Sequence, residues 1–590
     1  MIEAPSILCD ETFPLSLDTL FEAYGNEAYH GAEVAIWVFD GHKRRLEFEA
    51  KFQAAGIKAR IRSAYKPLVH AFLEEIDLGG IDDIEIRYPV VEGNEAERFR
   101  LEAYPATALV GNRAVHLTPA DVAGPDDLPT YELTLRGNTG DARRIDVAAP
   151  NVSTTDPMGH KVMASTGWIQ ITGAADPIGN IDQAFQTDQE LAFARAIEIL
   201  RAYPTDGGEP YFDRLQLRIE APFYDQPLPV GMECLSTAEA MHEDIYFAGL
   251  ETFKARAGAG ETDRKIAPGQ IVPEIITTDK RVRVCVYAEP DPLLVRDVQP
   301  SPGPMVRLAT VERWLEPETM KSHLDALGGA AYEARSWRGR PIWGRYFEGD
   351  GAGFVISSGQ HANETSGPVG ALRAGEQLLA EGIGNFALAP LNNPDGFALF
   401  REQVDANPHH MHHAARYTAA GCDLERYERQ YENEIRHLGR ELTGANLHLN
   451  LHGYPSHEWT RPFSGYVPRE FARWTLPKGF FLILNYHPGY KEQGEAVIQS
   501  MVEALGAYEP IVRLNREQLA RRRAYVDDSS FELMNEIPVF TEERDKSIFP
   551  IEIITEAPDE TIYGEDFIHA HTAQMIVTLA AARGYREHTD

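Results

Sequence analysis

The stretch FVISSGQHANE, residues 354–364, places a histidine and a glutamate directly after a short apolar run. The apolar half predicts a buried strand, and His361 and Glu364 follow at its C-terminal end, where open α/β sheets build their sites. A His and a Glu three residues apart can bind one metal ion from a single turn. His30 and Glu33 have the same spacing but precede a strand, so we interpret that pair as a coincidence.

A catalytic zinc ion takes three protein ligands and leaves a fourth position for water, so a further ligand is needed from another segment. Residues 446–453, NLHLNLHG, supply candidates. Period-2 alternation places His448, Asn450 and His452 on one face of a predicted strand. His452 is nearest the C-terminal end and is the preferred ligand. We interpret His448 as a hydrogen-bonded residue one layer below and His457 as a loop residue.

Short apolar runs alternate with longer helical patterns through residues 306–590, at 354–356, 386–389, 447–451 and 551–554. This alternation predicts an α/β fold in which helices cover a sheet. The last predicted helix carries its apolar residues on one face and ends before Gly584.

Residues 1–305 mix helix-like and strand-like stretches without a catalytic motif, which predicts α+β regions. A dense run of prolines marks the end of this part, at Pro290, Pro292, Pro300, Pro302 and Pro304. Proline breaks both helices and strand ladders. We therefore predict an α+β domain at 1–140, a second α+β or β-rich domain at 141–305, and a third domain at 306–590.

Composition narrows the classes of function. The chain has 590 residues and a formal net charge of -34, which would repel nucleic acid and anionic lipid. Its four cysteines lie far apart, so a thiolate zinc site is not available. No stretch of 18 apolar residues and no secretory start is present. We expect a cytoplasmic protein without nucleic-acid or membrane partners.

Residues from about 310 to 590 resemble the zinc carboxypeptidases related to carboxypeptidase A. Six motifs stand in the order of that family: SWRGRPI at 336–342, HANE at 361–364, NPDGF at 393–397, GCDLER at 421–426, LHG at 451–453 and IITE at 553–556. The resemblance implies an α/β/α sandwich with a mixed, largely parallel sheet of the zinc carboxypeptidase type for residues 306–590. It implies one zinc ion per chain and says nothing about residues 1–305.

By this resemblance His361, Glu364 and His452 bind the zinc ion, and Glu556 is the general base and later the proton donor. A zinc ion lowers the pKa of bound water from about 15.7 toward about 7, and a nearby carboxylate can then accept the proton. Glu552 is the rival base, although its position earlier on the same strand favours a structural role.

The resemblance also implies residues that handle the substrate. Arg426 matches the arginine that binds the terminal carboxylate, although a charged helix surface would also explain it. Arg416 is a looser match to the arginine that polarises the scissile carbonyl. Asn393 and Glu425 complete the predicted substrate-binding set. The histidine-rich loop at 407–413 between these motifs is either an accessory metal site or, as we prefer, a solvated rim.

Asp423 matches the carboxylate that orients the first zinc histidine. Glu425 departs from the family, which has Asn before the arginine, and a negative charge there weakens recognition of a substrate carboxylate. Tyr525 is the candidate for the mobile tyrosine of the family, with Tyr454 and Tyr466 as competitors.

The leading hypothesis is a metallocarboxypeptidase acting on peptides, whose N-terminal half restricts access or drives homo-oligomerisation. One alternative is a zinc amide hydrolase or deacylase acting on acylated amino acids or modified peptides. Another is a catalytically silent, carboxypeptidase-like binding module. The roles of two charged clusters remain open. Glu542, Glu543 and Asp545 either favour a basic substrate residue or form a solvated loop, and Arg521–Arg523 read more simply as helix-end charges than as a nucleic-acid patch.

Overall fold

The structure is a computed structural model that describes residues 6–137, 141–173, 179–289, 302–426, 428–465, 475–526 and 530–589. Short strands dominate its N-terminal half. The strands there are β1 (Ser6–Phe13), β2 (Glu33–Val38), β3 (Lys58–Ser63), β4 (Ile81–Val91), β5 (Ala114–Ala123), β6 (Thr130–Gly137), β7 (Ala142–Ala148), β8 (Asn151–Thr155), β9 (Lys161–Ser165), β10 (Gly167–Thr172), β11 (Ile181–Phe185), β12 (Arg214–Ala221), β13 (Asp225–Pro227), β14 (Cys234–Ser236), β15 (Gln270–Thr277) and β16 (Val282–Glu289). The helices are α1 (Ser16–Tyr24), α2 (His42–Ala54), α3 (Pro67–Glu74), α4 (Arg98–Glu102), α5 (Ala106–Leu109), α6 (Asp188–Ala202) and α7 (Thr237–Ala257).

Twelve of these strands form three four-stranded sheets, in the orders β1-β16-β12-β15, β11-β10-β2-β3 and β5-β4-β6-β7, and the other four form the pairs β8-β9 and β13-β14. This confirms a β-rich α+β architecture. The strand-like runs of the sequence lie within β2, β4, β10, β12 and β16. The domain divisions near residues 140 and 305 stay predictions. Of the prolines on which the second division rests, Pro290, Pro292 and Pro300 lie outside the described residues, whereas Pro302 and Pro304 lie in irregular chain.

The C-terminal half alternates strands and helices. Its strands are β17 (Ala330–Arg335), β18 (Pro341–Phe347), β19 (Phe354–Ser358), β20 (Phe386–Ala389), β21 (Leu447–Pro455), β22 (Phe481–Tyr486), β23 (Glu532–Met534), β24 (Ile537–Glu543) and β25 (Ile551–Glu560). Its helices are α8 (Pro317–Ala326), α9 (Ser366–Ala380), α10 (Pro394–Ala406), α11 (Glu434–Thr443), α12 (Lys491–Gly506), α13 (Glu509–Arg522) and α14 (Glu565–Glu587).

The C-terminal strands form one nine-stranded mixed sheet in the order β17-β18-β20-β19-β21-β25-β22-β24-β23. The central strands β20, β19, β21 and β25 are parallel, while β18 and β22 join this centre in antiparallel fashion. The predicted mixed sheet is confirmed, and its parallel character is concentrated at the centre. The central strands carry the apolar runs found in the sequence because parallel strands are buried on both faces.

The faces of the central strand β21 have different neighbours. On one side Gln574 of α14 accepts a hydrogen bond from the Thr555 hydroxyl of β25 at 2.5 Å and donates one to the carbonyl of His452 at 2.7 Å. On the other side α11 approaches so closely that a Cβ at Gly439 would lie 3.5 Å from Val355, the register partner of His448. The face that carries His448, Asn450 and His452 therefore belongs to the α11 side.

The two halves of the chain share one continuous hydrophobic core, which runs from residues of β12, β15 and α7 into the helices and strands of the C-terminal sheet. Among the described residues, the helices are all too short or too polar to cross a membrane.

We expect Leu449→Ala to lower the free energy of unfolding by about 2–5 kcal/mol, because it leaves a cavity in the central strand. Leu449 is 1% exposed. Urea unfolding followed by circular dichroism measures the change. The control is Leu442→Ala on α11, where the side chain is 43% exposed and the change should stay within about 0.5 kcal/mol. Equal losses in both variants would contradict this placement of the core.

Candidate metal centre and active site

Neighbouring parallel strands bring the predicted metal ligands together. His361 and Glu364 follow β19 and precede α9, and His452 lies near the end of β21. Ser358 of β19 pairs with Leu451 of β21, so both strands end at the same edge of the sheet. All three ligand side chains are buried. Local strand pairing thus places residues that are about ninety positions apart in one small volume.

The ligand atoms converge at distances that suit one ion. The Nδ1 atoms of His361 and His452 are 3.1 Å apart. Glu364 lies 2.8 Å from His361 Nδ1 through Oε1 and 2.9 Å from His452 Nδ1 through Oε2. Two nitrogen ligands about 2.1 Å from a tetrahedral zinc ion are about 3.4 Å apart. Among the residues that the structure describes, these form the one group of three His, Cys, Asp or Glu side chains with converging ligand atoms. The donor set fits zinc.

The electrostatics around Glu364 and His452 favour the protonation states that bind a metal ion. Burial opposes the ionisation of Glu364, but the adjacent His361 and His452 outweigh it and hold its pKa well below the ordinary value. Burial lowers the pKa of His452 to about 4, against the opposing effect of Glu364. A carboxylate and a neutral imidazole are the forms that bind a metal ion. The Glu364 carboxylate also accepts the Gly453 N–H at 3.1 Å.

Asp423 stands behind His361, as the resemblance implied. Its Oδ2 is 3.5 Å from His361 Nε2, which leaves Nδ1 facing the other ligands. Gln360 donates to Oδ1 of Asp423 at 3.1 Å, and the Asp423 N–H donates to the carbonyl of Arg264 at 3.0 Å. Burial would raise the pKa of Asp423, yet His361 and then Arg264 reverse this and lower it. The orienting carboxylate is itself fixed from both halves of the chain.

Glu556 is the register partner of His452 on β25 and is half-buried. Burial, followed by the charge of Glu364, raises its pKa well above the ordinary value, while Arg416 and Lys478 act in the opposite direction. Glu552 sits four residues earlier, next to His448, whose Nδ1 is 3.0 Å from it. Its pKa is lowered to about 2, since His448 outweighs burial. Glu552 therefore belongs to a buried hydrogen-bonded pair with His448 below the ligand group, and Glu556 lies beside the ligands.

Arg416 also reaches the ligand group. Its Nη1 is 3.5 Å from Oε1 of Glu364, and its guanidinium is partly exposed. Two neighbours escaped the sequence reasoning. The ring of Tyr417 lies 6.4 Å from that of His361. The Lys478 ammonium lies 4.7 Å from the ring of Phe481, and Phe481 is the register partner of Glu556 on β22. The adjacency of Tyr417 to Arg416 was an available signal, whereas no motif pointed to Lys478.

Arg426 and Glu425 make contacts that the sequence did not predict. Arg426 Nη1 is 2.8 Å from the Glu209 carboxylate, and it also donates to the carbonyl of Lys265. Glu425 is 57% exposed and lies 3.4 Å from Nη1 of the buried Arg436. The carboxylate-binding role of Arg426 stays a prediction, and it would require the guanidinium to leave Glu209.

Asn393 caps α10, where its Oδ1 accepts the Gly396 N–H at 2.8 Å. Its amide Nδ2 donates to the carbonyls of Arg416 at 3.3 Å and Tyr417 at 3.1 Å. The structure thus gives this side chain backbone partners on the turn that carries Arg416, and its role in substrate binding stays a prediction.

The placement of Tyr525 argues against its predicted mobile role. Its side chain is fully buried, and its hydroxyl accepts the Thr107 N–H at 2.8 Å and donates to Thr107 Oγ1 at 2.9 Å. A hydroxyl with two buried partners resists movement. The competitor Tyr454 is also buried and donates to the Gly479 carbonyl at 2.7 Å. Tyr466 lies outside the described residues.

The histidine-rich loop is not a solvated rim, because His410, His412 and His413 are buried. His410 contacts Asp225 of β13, and His413 contacts Glu243 of α7. Within the described part of the chain the loop forms no second metal group. In the acidic cluster, Glu542 is exposed and pairs with Arg544 at 2.7 Å, as in a solvated loop. Arg522 is buried and donates to the Leu476 carbonyl at 3.2 Å, so it is not part of a basic surface.

Comparison with known proteins agrees with this geometry. Residues 331–446 match the family model Peptidase_M14, zinc carboxypeptidase. The chain contains a zinc carboxypeptidase domain. The matched segment includes His361, Glu364, Arg416 and Asp423, but it ends before β21 and β25. The family match therefore does not cover His452 and Glu556, whose place in the site depends on the geometry. This match supports a hydrolase of the metallocarboxypeptidase type.

The chain is also similar to solved structures. A putative metallopeptidase from Shewanella denitrificans OS217 is 17% identical, with 46% of this chain and 87% of that chain covered and a TM-score of 0.28. A metallo-carboxypeptidase from Burkholderia cenocepacia is 13% identical, with 52% and 76% covered and a TM-score of 0.29. A metallo-carboxypeptidase from Pseudomonas aeruginosa is 14% identical, with 52% and 75% covered and a TM-score of 0.28. No curated protein matches the chain.

We expect the purified protein to bind about one zinc ion per chain and His452→Ala to lose it, because two ligands hold zinc poorly. Metal analysis after dialysis measures the content. The control is His30→Ala, which removes an exposed histidine of the same His-x-x-Glu spacing and should keep the zinc. Full zinc content in His452→Ala would contradict the ligand set.

Proposed function

We propose that the protein is a zinc-dependent carboxypeptidase that hydrolyses the C-terminal amide bond of peptides, with Glu556 as the general base. The observation that carries this proposal is the convergence of His361, Glu364 and His452 beside Glu556, the register partner of His452. A zinc ion held by the three ligands would polarise a water molecule and the scissile carbonyl, so that attack occurs near neutral pH.

The chain supplies the proton transfers and the charge stabilisation. The Glu556 carboxylate accepts the proton of the attacking water and later delivers it to the leaving amine. The Arg416 guanidinium, 3.5 Å from Glu364, donates hydrogen bonds to the oxygen of the scissile carbonyl as negative charge develops there. Asp423 holds His361 so that Nδ1, not Nε2, faces the metal.

A second candidate function keeps this chemistry and changes the substrate. In that proposal the protein hydrolyses the amide bond of an acylated amino acid or of a modified peptide. For a modified peptide without a free terminal carboxylate, this candidate is favoured by the contact between Arg426 and Glu209, which occupies the guanidinium expected to receive a terminal carboxylate. The exposed negative charge of Glu425 points the same way.

Glu556→Gln should lower kcat by at least about a hundredfold while keeping the zinc, because the amide cannot accept the proton of water. Initial rates on a mixed peptide library and metal analysis of the same sample measure both effects. Glu492→Gln, at an exposed position of α12, is the control and should keep the full rate. A Glu556→Gln variant with undiminished kcat would refute the role of Glu556.

A carboxypeptidase differs from a hydrolase of C-terminally modified peptides in its need for a terminal carboxylate, and from a deacylase in its preference for a peptide over an N-acyl amino acid. A carboxypeptidase should hydrolyse a peptide with a free C-terminus and lose at least about tenfold in kcat/KM when that terminus is amidated, since a charged hydrogen bond is lost. Liquid chromatography of the products from the two peptides and from an N-acyl amino acid identifies the bond that breaks. Equal cleavage of the amidated peptide, or cleavage of the N-acyl amino acid alone, would favour the second candidate.

A further inference from the structure

Helix α7, in the N-terminal half, is buried along most of its length although it is rich in charged residues. Glu239, Glu243, Phe247 and Glu251 follow one another at intervals of four and therefore share one face of the helix. We call these four residues the α7 stripe. All of its contacts described below are with two segments of the zinc carboxypeptidase domain, residues 409–416 and 456–464.

The first half of the α7 stripe holds the histidine-rich loop. Glu239 accepts the Met411 N–H at 2.6 Å, and Glu243 Oε2 lies 2.5 Å from His413 Nδ1. The His413 ring also packs on Phe247, with the ring centres 5.2 Å apart. Burial would lower the pKa of His413, but the Glu243 carboxylate outweighs it and raises the pKa. His413 therefore donates a charge-assisted hydrogen bond to Glu243.

One turn of chain connects His413 to Arg416. Residues His413–Ala415 form a 3-10 turn, and the Arg416 N–H donates to the His413 carbonyl at 3.0 Å. Asn393 holds the Arg416 carbonyl from the other side at 3.3 Å. Hydrogen bonds thus fix the backbone at both ends of this turn. The position of His413 therefore determines where the Arg416 guanidinium lies relative to Glu364.

The second half of the α7 stripe holds the segment that follows β21 and His452. Trp459 stacks on Phe247, with ring centres 5.1 Å apart and planes 18° apart. Arg461 binds Glu251 through two parallel hydrogen bonds of 2.7 and 2.9 Å. One helix face thus supports the chain on both sides of the ligand group.

We propose that Glu243 is a positioning residue that acts through His413 to place Arg416, so that the N-terminal half is an integral part of the catalytic unit. This inference rests on the proposed role of Arg416. Glu243 does not touch the metal ligands in the described contacts, and its effect on catalysis passes through the turn at 413–416. The inference assigns a role to the N-terminal half that differs from restricting access or driving oligomerisation.

A double-mutant cycle tests the inference on the full-length zinc protein. Rates on the peptide library give kcat and KM for the native chain, Glu243→Leu, Arg416→Ala and the combination. We expect Arg416→Ala to lower kcat about a hundredfold. Glu243→Leu should lower kcat about tenfold with KM changed less than twofold, because a guanidinium displaced by a fraction of an ångström stabilises the transition state poorly. When Arg416 is already alanine, Glu243→Leu should lower kcat less than twofold further.

Two variants serve as comparisons. Glu243→Gln keeps an oxygen that accepts the His413 hydrogen bond, so it should lose less kcat than Glu243→Leu. Glu198→Leu replaces an exposed carboxylate on α6 and should leave kcat and zinc content unchanged. Thermal unfolding and zinc analysis accompany every variant. If Glu243→Leu does not fold, His413→Gln replaces it in the same cycle.

An equal loss of kcat from Glu243→Leu with and without Arg416 would overturn the inference, because Glu243 would then act only on the stability of the whole site. Full kcat in Arg416→Ala would overturn the role of Arg416 and this inference with it. That second outcome is separate from the proposed zinc chemistry, which the zinc content and the Glu556→Gln rate test independently.

Discussion

A buried, ionised carboxylate is the constraint around which the C-terminal half is organised. Glu364 is closed off from solvent, where an uncompensated charge costs several kcal/mol. Its compensation comes from His361 in the same turn, His452 and the Gly453 N–H on the neighbouring strand, and Arg416 from a distant loop. The register of β19 with β21 is therefore a condition for the stability of Glu364 as well as for a metal site. A divalent cation among the same atoms would complete that compensation.

The N-terminal half also contains buried charges, and these are compensated by residues of the C-terminal half. The Arg461–Glu251 and His413–Glu243 pairs each join one half of the chain to the other, and all four side chains are buried. Removing one partner of such a pair leaves the other as an uncompensated charge, which typically costs 3–5 kcal/mol, about as much as a buried cavity. A detachable inhibitory segment would avoid such contacts. The continuous hydrophobic core across both halves agrees with a single cooperative unit.

Local features of the sequence were sufficient to predict which three side chains converge, while their binding of zinc stays a prediction. Strand-end position and three-residue spacing identified His361 and Glu364, and period-2 alternation separated His452 from His448. These signals are local because a metal site at a strand end uses the geometry of that strand. The roles of Arg426 and Tyr525 were harder to predict, since Glu209 and Thr107, which hold them, lie hundreds of residues earlier in the chain.

The histidine-rich loop was misjudged for a related reason. Its polarity suggested solvent, but α7 covers it with acidic residues that pair with its histidines and backbone. Hydrophobic periodicity does not reveal a helix that is buried through hydrogen bonds and ion pairs, and α7 has charged residues on the same face as Phe247. The four-residue spacing of the α7 stripe was visible in the sequence, but its partners were not.

In the proposed function, substrate recognition depends on a different part of the site from hydrolysis. The hydrolytic groups lie at the strand ends, where register fixes them, whereas Glu425 and Arg426 lie on a short 3-10 turn that both halves of the chain contact. The Glu425 charge and the engagement of Arg426 by Glu209 both disfavour a free carboxylate at that turn. A substrate carboxylate would have to displace Glu209 from Arg426 and approach the negative charge of Glu425. A peptide whose terminal carboxylate is masked by modification would do neither, which gives that part of the second candidate function its physical basis.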